Sequence, residues 1–243
     1  MVEKKRADLL LVERGLAESR EKARALILAG EVFLENRKIE KAGELLPVDA
    51  PLRVRERLPY VSRGGLKLQK ALDHFNIDVR DKVVIDAGAS TGGFTDLLLQ
   101  RGARLVYAVD VGRGQLHWKL QKDPRVVVMD NTNIRYVTRE HFQIPPVMAT
   151  LDLSFISLTL VLPVIYGILE GRKEIVVLIK PQFEVGREKV GKGGVVRKRE
   201  YQMEAVEKIL NFARNLGLVI EGWVESPIKG QKGNVEFLAY FHI

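Results

Sequence analysis

Val83-Val84-Ile85-Asp86-Ala87-Gly88-Ala89-Ser90-Thr91-Gly92-Gly93-Phe94 is the stretch on which the fold turns. Three β-branched residues make a short apolar strand that ends in a carboxylate. The glycines then turn the chain toward a helix. They let the backbone approach a ligand where a side chain would collide. The N-terminus of the following helix adds polar backbone donors. A dinucleotide fingerprint would read G-x-G-x-x-G here. Gly88 is followed two residues later by Ser90, so the fingerprint fails and a nicotinamide-dependent oxidoreductase is disfavoured.

Outward from this turn, apolar strands alternate with helical patterns. Leu105–Val109, Val126–Met129, Met148–Leu151 and Ile175–Ile179 read as further strands. Near-continuous apolar runs of this kind indicate a parallel sheet covered on both faces. The second strand ends at Asp110, the third at Asp130-Asn131 and the fourth at Asp152. Ligands of open α/β sheets bind at that edge, and a carboxylate at the end of the second strand suits the two hydroxyls of an adenosine ribose. Two last strands, Leu218 to Val224 and Val235 to Phe241, flank the loop Lys229-Gly230-Gln231-Lys232-Gly233 and suggest an antiparallel pair.

Residues 1–58 have a different rhythm. Asp8-Leu9-Leu10-Leu11-Val12 begins a helix that Gly15 can end. Ser19 caps a second helix that stops at Gly30 and carries Arg20, Lys22 and Arg24 on its exposed side. Val32-Phe33-Leu34 reads as a strand, Glu35-Asn36 as a turn with Asn36 suited to the left-handed conformation, Lys38-Ile39 as the return and Leu52–Arg55 as a late strand. Pro59-Tyr60-Val61 reads as a linker, which leaves 62–243 as the larger domain.

The 243 residues carry a net charge of +8, which favours a polyanionic partner such as RNA. There is no Cys, and the four His are scattered without metal-ligand spacing, so no metal site is expected. The charged start, Met1-Val2-Glu3-Lys4-Lys5-Arg6, does not read as a secretory signal. No apolar run approaches the ~20 residues of a membrane span. A cytoplasmic protein with no membrane partner is the expectation, and oligomeric state is left open.

With these residues in view, three resemblances emerge. Asp-x-Gly-x-x-x-Gly-x-Phe from Asp86 to Phe94 resembles the first motif of class I methyltransferases. The sheet, parallel with an antiparallel last strand, resembles their Rossmann-like fold. The resemblance implies S-adenosylmethionine as cofactor, held by Asp86, Gly88, Ala89, Ser90, Thr91, Gly92, Gly93, Phe94 and Asp110, with Asp130 and Asn131 at the adenine. Arg6 to Lys38 resembles the RNA-binding domain named after the fourth small-subunit ribosomal protein. That similarity implies RNA contacts from Arg6, Ser19, Arg20, Lys22, Arg24 and Lys38, and Arg63 is added from the larger domain.

Four further residues narrow the reading. Lys67 lies in Ser62-Arg63-Gly64-Gly65-Leu66-Lys67-Leu68, Asp152 ends the fourth strand, Lys180 ends the fifth, and Glu236 falls in the final one. A buried strand rarely ends in a lone Lys, because desolvating an ammonium is costly. Together the four resemble the Lys–Asp–Lys–Glu tetrad of FtsJ-type ribose 2′-O-methyltransferases. The surrounding words, including Asp152-Leu153-Ser154-Phe155 and Lys180-Pro181-Gln182-Phe183, resemble the TlyA (haemolysin-A-like) family of rRNA cytidine 2′-O-methyltransferases. That family implies ribosomal RNA or ribosomal subunits as partners. Lys180 is the candidate base, with Lys67 as the neighbouring charge that lowers its pKa. Asp152 would hold Lys180 and Glu236 would orient a lysine or the ribose; which lysine is the base stays open. The glycine- and cation-rich stretch from Glu184 to Gly194 is expected as a mobile loop over the RNA. The alternatives are a non-catalytic ribosome assembly factor and a membrane-lytic haemolysin.

Overall fold

The computed structural model describes residues 3–55 and 58–243. Met1-Val2 of the charged start and the charged pair before the expected linker lie outside the described residues. The chain divides into two compact units, Met1–Arg57 and Leu58–Ile243.

The first unit opens with β1 (Lys4–Arg6), α1 (Ala7–Glu13) and α2 (Arg20–Leu28). Ser19 caps α2, its Oγ accepting the backbone N–H of Lys22 at 3.2 Å. β2 (Val32–Leu34) lies between β3 (Arg37–Lys38) and β5 (Leu52–Val54) in one antiparallel sheet. β4 (Leu45–Pro47) pairs with β1, a ladder too short to be read from sequence. At the tight turn it is Glu35, not Asn36, that takes the left-handed backbone, with φ of 54°. The core joins Leu10, Leu11, Ala23, Ile27, Val32, Ile39 and Leu46, all nearly inaccessible.

The second unit is built on seven strands: β6 (Val83–Ala87), β7 (Leu105–Val109), β8 (Val126–Met129), β9 (Met148–Leu151), β10 (Glu174–Ile179), β11 (Val219–Glu225) and β12 (Phe237–His242). Their order is β11-β12-β10-β9-β6-β7-β8. The five from β6 to β10 run parallel, and β12 is antiparallel to both β10 and β11. β6 alternates between two cores: Val83, Ile85 and Ala87 face one and Val84 the other. The first core takes residues of α6 (Leu162–Ile168) and α8 (Arg199–Asn215). The second takes α3 (Gly64–His74) and α4 (Gly93–Gln100). Two short helices, α5 (Trp118–Gln121) and α7 (Pro181–Glu184), follow β7 and β10. Covering is incomplete at the edge strand β8, where Val127 and Val128 are exposed.

The expected linker is part of this packing. Tyr60 is buried and donates its hydroxyl to Gln69 at 3.0 Å, Gln100 donates to the Pro59 carbonyl at 2.9 Å, and the Val61 N–H donates to Asp96 at 2.8 Å. The stretch expected as a mobile loop is also anchored. The Asn234 side chain bonds the Val196 N–H and the Gly194 carbonyl, and Lys189 pairs with Glu204. Among the described residues no helix is long and apolar enough to cross a membrane.

Candidate active site

Because β6 pairs with β9 on one side and β7 on the other, chain direction leaves the centre of the sheet in two senses. The carboxyl ends at that switch point are where this architecture binds ligands. Gly88 leaves β6 with φ of +83°, and a Cβ there would lie 2.4 Å from the Asp152 carbonyl oxygen. Only glycine permits that approach, so β6 and β9 end side by side with open space beyond them.

The four tetrad residues reach one cavity of 460 Å³. Lys67 comes from α3, Asp152 follows β9, Lys180 follows β10, and Glu236 stands one residue before β12 and not within it. They form two ion pairs. Lys67 Nζ meets Glu236 Oε2 at 2.6 Å, and Lys180 Nζ meets Asp152 Oδ1 at 2.7 Å. Lys180 also donates to Ser154 Oγ at 2.9 Å. Each lysine thus has its own carboxylate, Glu236 holding Lys67 and Asp152 holding Lys180. Glu236 is 3% exposed and Lys180 9%, so these pairs sit largely out of water, where paired charge attracts strongly. Gly230 makes room for Glu236, since a Cβ there would meet Oε1 at 2.4 Å.

A second cavity, 660 Å³, shares Gly88, Ser90, Asp152, Ser154 and Phe155 with the first. Asp110 stands in its wall, one oxygen accepting the Ser90 N–H at 2.8 Å and the other the Gly112 N–H at 2.7 Å. Each oxygen keeps a lone pair for a ligand hydroxyl. A third space of 250 Å³ touches Arg63, Lys67, Gly88, Ala89, Ser90, Thr91, Gly93 and Phe94. Volume, shared mouth and an acceptor carboxylate suit an adenosine joined to an amino-acid tail.

Four expected cofactor residues lie elsewhere. Asp86 is fully buried inside the sheet, accepting from Thr95 Oγ1 at 2.7 Å and Thr150 Oγ1 at 3.2 Å. Burial pushes its carboxyl up to about 7 against those hydrogen bonds. It shapes the turn from within and lines none of the cavities. Asp130 accepts the Gly114 N–H at 2.7 Å, and Asn131 takes a left-handed turn with φ of 51°. Thr132, Asn133 and Arg135, just beyond them, line the cavity instead. Gly92, also left-handed, is held against Leu116 and Leu120 and is a packing position.

Several residues of the site carry no signal in sequence spacing. Phe155 is 87% exposed with φ of +63°, its ring 5.1 Å from that of Phe183 at the rim of the first cavity. Glu184 is buried and accepts from Ser157 Oγ at 2.5 Å, Leu158 N–H at 2.8 Å and Lys208 Nζ at 3.2 Å. It ties α7 and α8 to the loop after β9, whose Ile156, Ser157 and Leu160 wall the second cavity. In the first unit, Arg6, Arg20 and Arg24 converge on Asp8, while Lys22 and Lys38 are exposed. Arg53 and Arg55 flank the Phe33 ring at 5.5 and 5.3 Å.

The chain is similar to known proteins. Residues 60–242 match the FtsJ-like methyltransferase family and residues 5–50 the S4 domain. A Bacillus subtilis protein described as a candidate rRNA methyltransferase, YqxC, is 51% identical over 98% of this chain and 86% of its own. The 16S/23S rRNA (cytidine-2′-O)-methyltransferase TlyA of Mycobacterium tuberculosis is 44% identical over 99% of this chain and 90% of its own. A solved structure described as a candidate hemolysin from Streptococcus thermophilus superposes with a TM-score of 0.76 at 46% identity, covering 100% of this chain and 89% of that one. The chain belongs to the FtsJ-like methyltransferase family, with an S4 domain ahead of its catalytic unit.

Proposed function

We propose that the protein transfers a methyl group from S-adenosylmethionine to the ribose 2′-hydroxyl of a cytidine in ribosomal RNA. The observation that carries this reading is the gathering of Lys67, Asp152, Lys180 and Glu236 as two ion pairs in one cavity that opens into the Asp110 cavity. The name of the Mycobacterium tuberculosis relative supports the cytidine and the ribosomal RNA.

Asp110 would accept the cofactor's ribose hydroxyls, Thr132, Asn133 and Arg135 would hold its base, and the Gly88–Ser90 turn would hold its amino-acid tail. When bound, the cofactor would supply an electrophilic methyl group. Lys180 gives up one proton to solvent before the chemical step; its neutral amine then takes the proton of the attacking hydroxyl, and Asp152, 2.7 Å away, stabilises the ammonium that re-forms. Lys67, held by Glu236, orients the target ribose and its phosphate. Most of the rate enhancement comes from this positioning and from charges fixed out of water. The S4 domain supplies affinity for structured RNA.

The test is nucleoside analysis by mass spectrometry of unmodified small- and large-subunit ribosomal RNA after incubation with the protein and methyl-labelled cofactor. Labelled 2′-O-methylcytidine is expected. Label on a base would overturn the ribose assignment, and label on another 2′-O-methylnucleoside would overturn the cytidine.

A further inference from the structure

Asp8 is an acidic residue at the centre of a surface read as RNA-binding, and it has no exposure at all. Three guanidiniums meet over it. Arg6 donates from Nε and a terminal nitrogen to its two oxygens at 3.0 and 3.1 Å, Arg20 from Nε at 3.0 Å and Arg24 from Nε at 3.2 Å. Arg20 and Arg24 are four apart on α2 and so share a face. Their side chains are 45% and 53% exposed, and only Nε of each bonds Asp8. The terminal nitrogens of these two forks are thus not spent on Asp8, and the three guanidiniums and one carboxylate leave a local charge of +2.

We infer that Asp8 is a positioning residue that clamps Arg6, Arg20 and Arg24 into a preformed site for the phosphates of an RNA backbone. The inference rests on the reading of residues 5–50 as RNA-binding and deepens it. An arginine side chain in solution samples many rotamers, and holding it on RNA forfeits that freedom. Three guanidiniums brought together also repel one another. A buried carboxylate beneath them removes both penalties before RNA arrives, which is how preorganisation raises affinity. Nε engagement suits this role because it does not spend the terminal nitrogens of a planar fork, which can make bidentate contact with phosphate oxygens. The same arginines hold the Asp8 carboxyl well below the usual carboxylate range.

Simple charge attraction and the clamp make opposite forecasts. Asp8→Asn adds one positive charge to a protein already at +8. If affinity follows net charge, this variant binds RNA more tightly; if Asp8 is a clamp, it binds about tenfold more weakly. Arg24→Lys keeps the charge and leaves Arg6 and Arg20 to neutralise Asp8, so the first unit keeps its fold. It replaces a planar fork by a point charge.

The experiment is filter binding of the full-length protein and both variants to deproteinised, unmodified ribosomal RNA over a salt series, with thermal unfolding in parallel. The clamp predicts weaker binding for both variants and a shallower dependence on salt, by about one ion for each phosphate that is no longer engaged. Native-like affinity and slope in Arg24→Lys, or tighter binding by Asp8→Asn, would overturn it. Should Asp8→Asn unfold, Arg24→Lys alone decides. If the native protein does not retain RNA, the RNA-binding reading of the unit falls, and the clamp with it.

Discussion

Lys180 and Asp152 stand at the carboxyl ends of adjacent parallel strands, their charged atoms 2.7 Å apart. The lysine side chain is 10% exposed and the carboxylate 21%. Asp152→Ala therefore leaves a largely buried ammonium without its counter-charge, a change that costs about 3–5 kcal/mol. The double variant Asp152→Ala/Lys180→Ala is expected to regain part of that stability while remaining inactive. Chemical denaturation of the single and double variants measures the coupling.

Glu236 is tested through a glycine. Gly230→Ala places a methyl group where the Glu236 carboxylate now lies, 2.4 Å from Oε1. The carboxylate must shift, which disturbs the bond that its Oε2 makes with Lys67. Methyl transfer should fall about tenfold or more, since small displacements of positioned groups are costly to rate. The melting temperature should fall as well, because disturbing a largely buried ion pair costs stability. Single-turnover kinetics beside a thermal melt separates the two effects.

Asp86 gives a pH prediction. Its folded carboxyl titrates near 7 against an ordinary value of 3.8, because burial disfavours the charged form. Between those values the native state holds a proton that the unfolded chain has lost, so this group's contribution to stability falls as pH rises from about 4 to 7 and is flat above. The difference is on the order of 4 kcal/mol. Asp86→Asn removes it, and the variant should lose that part of the decline. Urea unfolding of both proteins at about pH 4 and pH 8 reads most of the difference. Equal pH dependence in the two would contradict the assignment.

How far this was legible in sequence depends on what each signal encodes. Strand position and direction come through because apolar runs and turn residues are local, and the four residues gathered in one cavity stand out because each lies in a distinctive word. Facing direction does not. Asp86 and Asp110 both read as acids at strand ends, yet one is sealed against Thr95 and Thr150 while the other opens on a cavity. Which lysine meets which carboxylate is likewise settled by side chains far apart in the chain, 169 residues in the case of Lys67 and Glu236. The Asp8 cluster joins β1, α1 and α2, so the arginines read as a simple basic face until they are seen in three dimensions.

Glu184 follows the tetrad lysine closely but supports the wall of the other cavity, by accepting from Ser157 there and from the neighbouring Leu158 N–H. Glu184→Ala releases the loop after β9 and leaves the buried Leu158 N–H without its acceptor. Affinity for S-adenosylmethionine should weaken about tenfold, by roughly 1.4 kcal/mol. Isothermal titration of the variant measures it, and unchanged affinity would place the wall of that cavity outside cofactor binding.

In the proposed mechanism the tetrad performs methyl transfer to a ribose hydroxyl, with Lys180 taking the proton. The decisive experiment sets the native protein beside Lys180→Ala, with tritiated S-adenosylmethionine and unmodified ribosomal subunits, and cofactor affinity measured on both. The native protein should yield 2′-O-methylcytidine. The variant should lose at least about a hundredfold in rate and keep its cofactor affinity within a few-fold. Methylation by Lys180→Ala at the native rate would contradict the mechanism, as would label carried on a base.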